Sequence, residues 1–282
     1  MKTNLVKLDK LLVNRKFVKS KIIAQEYIKS GRVFVDGIKV LKIASQVPSE
    51  ISIKIDLPEK KWVSRGAFKL LRALDVFKVS PKGKECVDIG ASTGGFTDVL
   101  LSRGANQVYA IDVGYGQLAW KLRNDNRVVV LERTNAKFLT IDMLNNKKMD
   151  IIVSDASFIS IRLLLKPLEK LLKDDGIMIV LLKPQFEVSK DKVGKGVVTD
   201  HKLHSTIIDK LINFIDKETK MKLLDITYSP IRGPEGNIEF LLYLCLKESV
   251  VQIVKNIDIN AIVLDAHKNT EFSNESRATC ND

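Results

Sequence analysis

The chain has 282 residues, 45% of them hydrophobic and 28% charged, with a formal net charge of +12. This is the balance of a globular protein with one large or two small domains, and it excludes wholesale disorder. The densest apolar runs, such as 177–182, fall far short of the ~20 residues needed to span a bilayer, and no basic stretch followed by an apolar core opens the chain as a signal peptide would.

Within residues 4–14, Leu5, Leu8, Leu11 and Leu12 recur at i, i+3, i+6 and i+7, which predicts a helix with one apolar face. A second helix is predicted over 20–30, with Ser20 as N-cap, Ile22, Ile23, Tyr27 and Ile28 as its stripe and Gly31 as its stop. Residues 32–40 form two short β-rich runs around Asp36-Gly37, a hairpin signal because both turn positions need positive φ. A further alternating strand is predicted over 51–57, and Pro58 opens a charged linker at 59–63. Residues 1–58 therefore read as a small α+β domain. Residues 1–65 hold 15 Lys and Arg against 6 Asp and Glu, whereas the remaining residues hold 31 against 28. Positive charge concentrated in this way presents a basic module to a polyanion: RNA, DNA or an anionic membrane.

The pattern changes after Trp62. A helix is predicted over 64–75 with Ser64 as N-cap. Apolar runs at 85–90, 107–113, 127–132, 149–155 and 176–182 then alternate with helical segments, as buried parallel strands of a doubly wound α/β domain do. Two more runs, 221–229 and 238–246, are separated only by a turn-rich stretch, too short for a helical crossover, so they should pair antiparallel at one edge. A mostly parallel, Rossmann-like seven-stranded sheet ending in such a hairpin over 64–247 is the layout of class I methyltransferases, whereas an NAD-binding domain continues with parallel strands. Residues 248–282 read as a terminal helix, predicted over 247–267, and a frayed polar tail.

The first constellation is the segment 87–96, V-D-I-G-A-S-T-G-G-F, which ends a strand and opens a helix. Gly90, Ser92, Gly94, Gly95 and Phe96 lie where backbone amides meet a ligand, and the spacing G-x-x-x-G-G departs from the dinucleotide G-x-G-x-x-G. Asp112 follows the second strand, 22 residues after Gly90, where a carboxylate accepts both hydroxyls of a ribose. This pairing fits S-adenosylmethionine. Asn135 and Ala136 fall where an adenine would be held or where an ordinary loop would run. The second constellation is assembled by the fold. Asp155 and Lys183 end the fourth and fifth strands, Glu239 is placed on the last strand, and Lys69 is on the helix before the sheet. Two lysines and two acids converging over a transferring methyl suit an alcohol acceptor, since a ribose hydroxyl needs a positioned base. Lys183, framed by Asp155 and Glu239, is the expected activator, with Lys69 positioning substrate or tuning Lys183 and no metal required. Asp155 is followed by Ala-Ser, not the Pro-Pro of many N-methyltransferases. Cys86 falls inside a strand and reads as core. The three cysteines, Cys86, Cys245 and Cys280, form no CxxC pair, which excludes a disulfide framework and points to a reducing cytoplasm. The loop with Gly194-Lys195-Gly196 is either a lid that closes over substrate or a mobile connector.

These motifs carry a resemblance. L-D-K-L-L-V-N-R and S-K-I-I-A-x-x-Y-I-K-S-G-R-V-F-V-D-G resemble an S4-type RNA-binding domain, with Lys7 and Lys21 standing where arginine is usual. S-R-G-A-F-K-L, D-I-G-A-S-T-G-G-F-T-D, V-S-D-A-S-F-I, L-L-K-P-Q-F-E and G-P-E-G-N-I-E-F resemble an FtsJ-type ribose 2′-O-methyltransferase domain. Together, in this order, they resemble the bacterial TlyA family over residues 5 to about 246. The resemblance implies a Lys-Asp-Lys-Glu tetrad at Lys69, Asp155, Lys183 and Glu239, with Asp155 also beside the donor. It implies S-adenosylmethionine as donor, an RNA-binding face of Lys7, Arg15, Lys16, Ser20, Lys21, Arg32 and Arg65, and 2′-O-methylation of a cytidine in ribosomal RNA or ribosomal subunits in the cytoplasm. The family also carries the label hemolysin, for which the sequence shows no membrane span, no amphipathic β-barrel series and no signal. A membrane-active hemolysin and a non-catalytic RNA-binding ribosome-assembly factor stand as the alternatives, separable by dye release from liposomes and by donor binding.

Overall fold

The computed structural model describes residues 5–18, 20–56, 61–189, 193, 196–249 and 257–270. The chain divides into two compact units between Lys61 and Trp62. The first contains β1 (Leu5–Lys7), α1 (Leu8–Asn14), α2 (Lys21–Lys29), β2 (Val33–Val35), β3 (Ile38–Val40), β4 (Gln46–Pro48) and β5 (Ile53–Ile55). Leucine spacing predicts one helix from residue 4, but Leu5–Lys7 instead pair antiparallel with β4, and the Leu8 amide donates to Ser45 O at 2.9 Å before the helix begins. Leu5, placed in the stripe by its spacing, is 55% exposed as a result. The Ser20 hydroxyl caps α2 through the Ile23 amide, but the buried stripe is Ala24 and Ile28, with Ile22 turned outward. Asp36 and Gly37 have φ of 46° and 79°, as the hairpin requires. Leu8, Leu12, Ala24, Ile28 and Val33 make the core of this unit. The strand predicted over 51–57 is confined to β5, and residues 57–60 lie outside the described residues.

The second unit contains α3 (Ala67–Phe77), β6 (Glu85–Ile89), α4 (Gly95–Ser102), β7 (Gln107–Ile111), α5 (Trp120–Arg123), β8 (Val128–Leu131), β9 (Met149–Ser154), α6 (Arg162–Glu169), β10 (Leu172–Leu182), α7 (His201–Glu218), β11 (Met221–Tyr228), β12 (Phe240–Leu246) and α8 (Ile259–Asn269). Helix α3 is capped by Gly66 rather than Ser64, since Ser64 and Arg65 first make tight turns through their carbonyls. The terminal helix starts at Ile259, where Asp258 caps it through the Ala261 amide at 3.0 Å, and not at 247. Residues 271–282, including Cys280, lie outside the described residues.

The sheet order is β11-β12-β10-β9-β6-β7-β8, parallel except that β12 runs antiparallel to both neighbours. The hairpin is thus not a simple edge addition, because its second arm inserts between β10 and β11. Alternate strand residues face opposite layers. Val87, Ile89, Met178 and Val180 pack with residues of α6, α7 and α8, while Cys86, Ile151, Val153 and Ile179 pack with residues of α3, α4 and α5. The chain leaves β6 outward to β8 and returns through β9, so the carboxyl ends of β6 and β9 lie side by side where the direction of winding reverses. Ligand crevices open at such a point. On the far layer, the terminal helix docks through histidine: His204 Nδ1 and His267 Nε2 are 2.9 Å apart, and the His201 ring stacks on His267 with centroids 3.6 Å apart.

Candidate active site

At the winding reversal the loops after β6 and β9 touch. Gly90 has φ of 77°, and a Cβ there would lie 3.0 Å from Ala156 Cα, so only glycine lets the two loops close on each other. A cleft of about 250 Å³ opens beside them, lined by Arg65, Lys69, Asp88, Gly90, Asp155 and Lys183 among others.

The register Leu182↔Phe240 carries Lys183 and Glu239 to the same end of the β10–β12 ladder. Asp155 follows β9 and Lys69 lies on the first turn of α3. The four side chains form a chain of charges. Glu239 Oε2 lies 2.7 Å from Lys69 Nζ, which lies 3.2 Å from Asp155 Oδ2, while Asp155 Oδ1 lies 2.7 Å from Lys183 Nζ. Lys183 also donates to Ser157 Oγ at 2.6 Å and to the Asp155 carbonyl at 3.2 Å. Sequence reasoning placed Lys183 between Asp155 and Glu239. The structure instead pairs Glu239 with Lys69 and gives Lys183 the Ser157 hydroxyl, and Glu239 stands one residue ahead of β12 rather than on it. Burial works against the Lys69 ammonium, but Asp155 and Glu239 outweigh it and hold its pKa above the ordinary lysine range. The G-P-E-G-N-I-E-F segment makes room for this: a Cβ at Gly233 would lie 2.8 Å from Glu239 Oε1. Buried Asn237 binds the Val198 amide and the Gly196 carbonyl, both at 2.9 Å. Gly194 and Lys195 of the expected lid lie outside the described residues.

The glycine segment forms the other wall through Gly90, Ser92, Gly95 and Phe96, and Asp112 is bonded to it at Ser92. Asp112 accepts from the Ser92 amide at 2.8 Å and the Gly114 amide at 2.7 Å, which fixes its carboxylate while leaving lone pairs for a ligand. Ser92 is exposed, whereas Gly94, Gly95 and the Phe96 side chain are buried. Gly94 and Gly95 leave no room for a side chain, since a Cβ on Gly94 would overlap Leu122 and one on Gly95 would overlap Ser64. Asn135 is exposed and caps the following turn through the Lys137 amide at 3.0 Å. Sequence reasoning passed over Asp88, although it stands in the D-I-G segment. Asp88 Oδ2 accepts from the Thr97 amide and hydroxyl at 2.9 and 2.7 Å, Oδ1 has no partner, and burial pushes its pKa up to about 7. Phe158 was passed over as well: it is 91% exposed, has φ of 63°, and stands 5.4 Å from the Phe186 ring.

Of the expected RNA-facing residues, Lys7 and Lys16 are exposed, and Arg65 lies on the cleft. Lys21 reaches Asp9 at 3.7 Å with its side chain 55% exposed, and Arg32 lies over the Tyr27 ring. Arg15 is also engaged within the fold. Its guanidinium donates to Ile51 O at 2.6 Å and to Ser49 O, so it braces the fold.

With this geometry in view, residues 62–246 match the model of the FtsJ-like methyltransferases. The chain belongs to the FtsJ-like methyltransferase family. Residues 6–50 match the S4 domain. A 16S/23S rRNA (cytidine-2′-O)-methyltransferase, TlyA of Mycobacterium tuberculosis, is 44% identical over 240 residues, covering 84% of this chain and 89% of the relative. Hemolysin A of Brachyspira hyodysenteriae is 41% identical over 242 residues, covering 86% and 100%. A solved Streptococcus thermophilus structure described as a hemolysin matches with a TM-score of 0.70 and 34% identity over 95% of this chain and 97% of that one. Among the described residues no helix is long and apolar enough to cross a membrane, and no group of three His, Cys, Asp or Glu is placed to hold a metal. S-adenosylmethionine is the methyl donor of an FtsJ-like methyltransferase. The cleft suits it: the donor is cationic and carries a ribose diol, the wall offers the unpartnered Asp88 Oδ1, and the Asp112 carboxylate is fixed next to the wall at Ser92.

Proposed function

We propose that this protein methylates the 2′-hydroxyl of a cytidine in ribosomal RNA. The observation that carries the reading is the buried charge chain Glu239–Lys69–Asp155–Lys183 at the mouth of the donor cleft. The donor supplies an electrophilic methyl group. A ribose hydroxyl attacks it only if its proton is removed in place, and Lys183 Nζ is the group placed to take that proton. Asp155 holds Lys183 by two contacts, and Lys69, kept cationic between two acids, holds Asp155 in place. Catalysis is then orientation plus one proton transfer. Gly90, Ser92, Gly94, Gly95, Phe96 and Asp88 would cradle the donor, with its ribose on Asp112 and Asn135 near its base.

The reading of the substrate is supported by the rRNA methyltransferase relative and the S4 match. Lys7, Lys16, Lys21 and Arg32 present cations to RNA phosphates, with Arg65 at the cleft, and the exposed Phe158 ring offers a face to an unstacked base. The site of action is the cytoplasm, with ribosomal subunits or their RNA as partner. The test mixes the protein with labelled S-adenosylmethionine and unmodified ribosomal subunits, then digests the RNA for mass spectrometry. The expected product is 2′-O-methylcytidine. Absence of both label and donor binding, with dye released from liposomes, would overturn the reading in favour of a membrane-active protein.

A further inference from the structure

Two neighbouring loops, 155–161 after β9 and 183–189 after β10, are fastened to each other by three successive links. Lys183 binds Ser157 and the Asp155 carbonyl. The Phe186 ring lies 5.4 Å from the Phe158 ring. The Glu187 carboxylate accepts from Ser160 Oγ and the Ile161 amide, both at 2.8 Å, and lies 3.3 Å from Arg162 Nε, with its side chain 2% exposed. Burial raises the Glu187 pKa despite these three partners. Neither the proton transfer nor the donor cleft uses this carboxylate. Its three partners sit at the far end of a loop whose near end carries Asp155, Ser157 and Phe158. Phe158 is held in the left-handed region, which a non-glycine residue occupies only when its surroundings impose it.

We infer that Glu187 is a positioning residue. It pins the far end of the 155–161 loop, so that Ser157 stays on Lys183 and the Phe158 ring stands where the target nucleotide enters. This rests on the reading that Lys183 takes the hydroxyl proton. Without Glu187 the far end of the loop loses the polar contacts that fix Ser160 and the Ile161 amide, and the pose of the ribose against Lys183 is loosened while the donor wall, built from the loop after β6, is untouched.

The test compares Glu187→Ala, Glu187→Gln and Ser160→Ala with Lys183→Ala in the full-length protein. Three quantities are read: the rate of methyl transfer at saturating subunits and donor, donor affinity by calorimetry, and amide hydrogen exchange over 155–161. Glu187→Ala should slow transfer between about tenfold and a hundredfold, leave donor affinity within about twofold, and speed exchange in that loop. Glu187→Gln should recover most of the rate, because its amide oxygen still accepts from the Ile161 amide. Ser160→Ala, which removes a partner and keeps the carboxylate, should show a milder version of the same pattern. Wild-type rate and exchange in Glu187→Ala would overturn the inference. So would a loss of rate that Gln does not recover and that comes with unchanged loop exchange. If Lys183→Ala transfers normally, the underlying reading falls instead; if it is inactive while Glu187→Ala is normal, only the inference about Glu187 falls.

Discussion

Lys69 and Lys183 both reach Asp155, but their surroundings give them different work. Lys69 stands between two carboxylates, one of them the 1% exposed Glu239 side chain. Replacing it with Met strands a buried charge, and the cost should be about 3–5 kcal/mol, read as a lower melting temperature. Lys183 faces the cleft, and its loss leaves Asp155 still paired with Lys69. Lys183→Ala should therefore lower transfer by about a hundredfold or more and leave donor affinity, measured by calorimetry, within about twofold. Asp155 and Lys183 are legible in the sequence because strand ends in a doubly wound sheet can be counted off and their loops border one crevice, while the family resemblance adds Lys69 and Glu239. The partners within this quartet are not legible there. Whether Lys183 meets Glu239 or Ser157 depends on distances of a few ångströms between elements far apart in the chain. The contacts of Arg15 are hidden for the same kind of reason: nothing local tells that the carbonyls of Ser49 and Ile51 will claim a basic side chain more than thirty residues away.

Elements whose signals are local are the ones the sequence identifies well. Four of the five parallel strands, the Asp36-Gly37 turn and the α2 cap fall where expected, while β10 starts at Leu172, ahead of the expected 176, across a register shift between Leu172 and Ile177. β1 and β4 do not, because a three-residue strand exists only through its partner, and the leucine at its start fits a helical period equally well. The β11–β12 turn is legible as a turn, but its use is not. Gly233 clears space for the Glu239 carboxylate, with 2.8 Å between Oε1 and the position of a Cβ. Gly233→Ala should push that carboxylate off Lys69. The expected outcome is a loss of transfer of at least about tenfold with far-ultraviolet circular dichroism unchanged.

For the molecule as a whole, two responses to solution conditions follow. His204 is fully buried, and burial, reinforced by His267, His201 and Arg232 and opposed by Asp200, pushes its pKa down to about 4. A group depressed on folding stabilises the fold above its ordinary value near 6.5 and loses that contribution as pH falls toward the folded value. Melting temperature should drop between about pH 6.5 and pH 4, and His204→Phe should flatten that slope while leaving methyl transfer at neutral pH in place. The excess of basic residues ahead of Trp62 predicts salt-sensitive RNA binding, and the double variant Lys16→Ala/Lys21→Ala should reduce the slope of log affinity against log salt by about two. A last consequence comes from β12, which is late in sequence but internal in the sheet. As the chain emerges during synthesis, β10 has an open edge and β11 has no neighbour until residue 246 is out. The same strand brings Glu239 at its start. Closure of the sheet and completion of the charge network are thus one late event. A chain cut short before Glu239 keeps two unpaired edges ready to join other chains and lacks the acid that holds Lys69, so a truncated product is an aggregation hazard rather than a half-active enzyme.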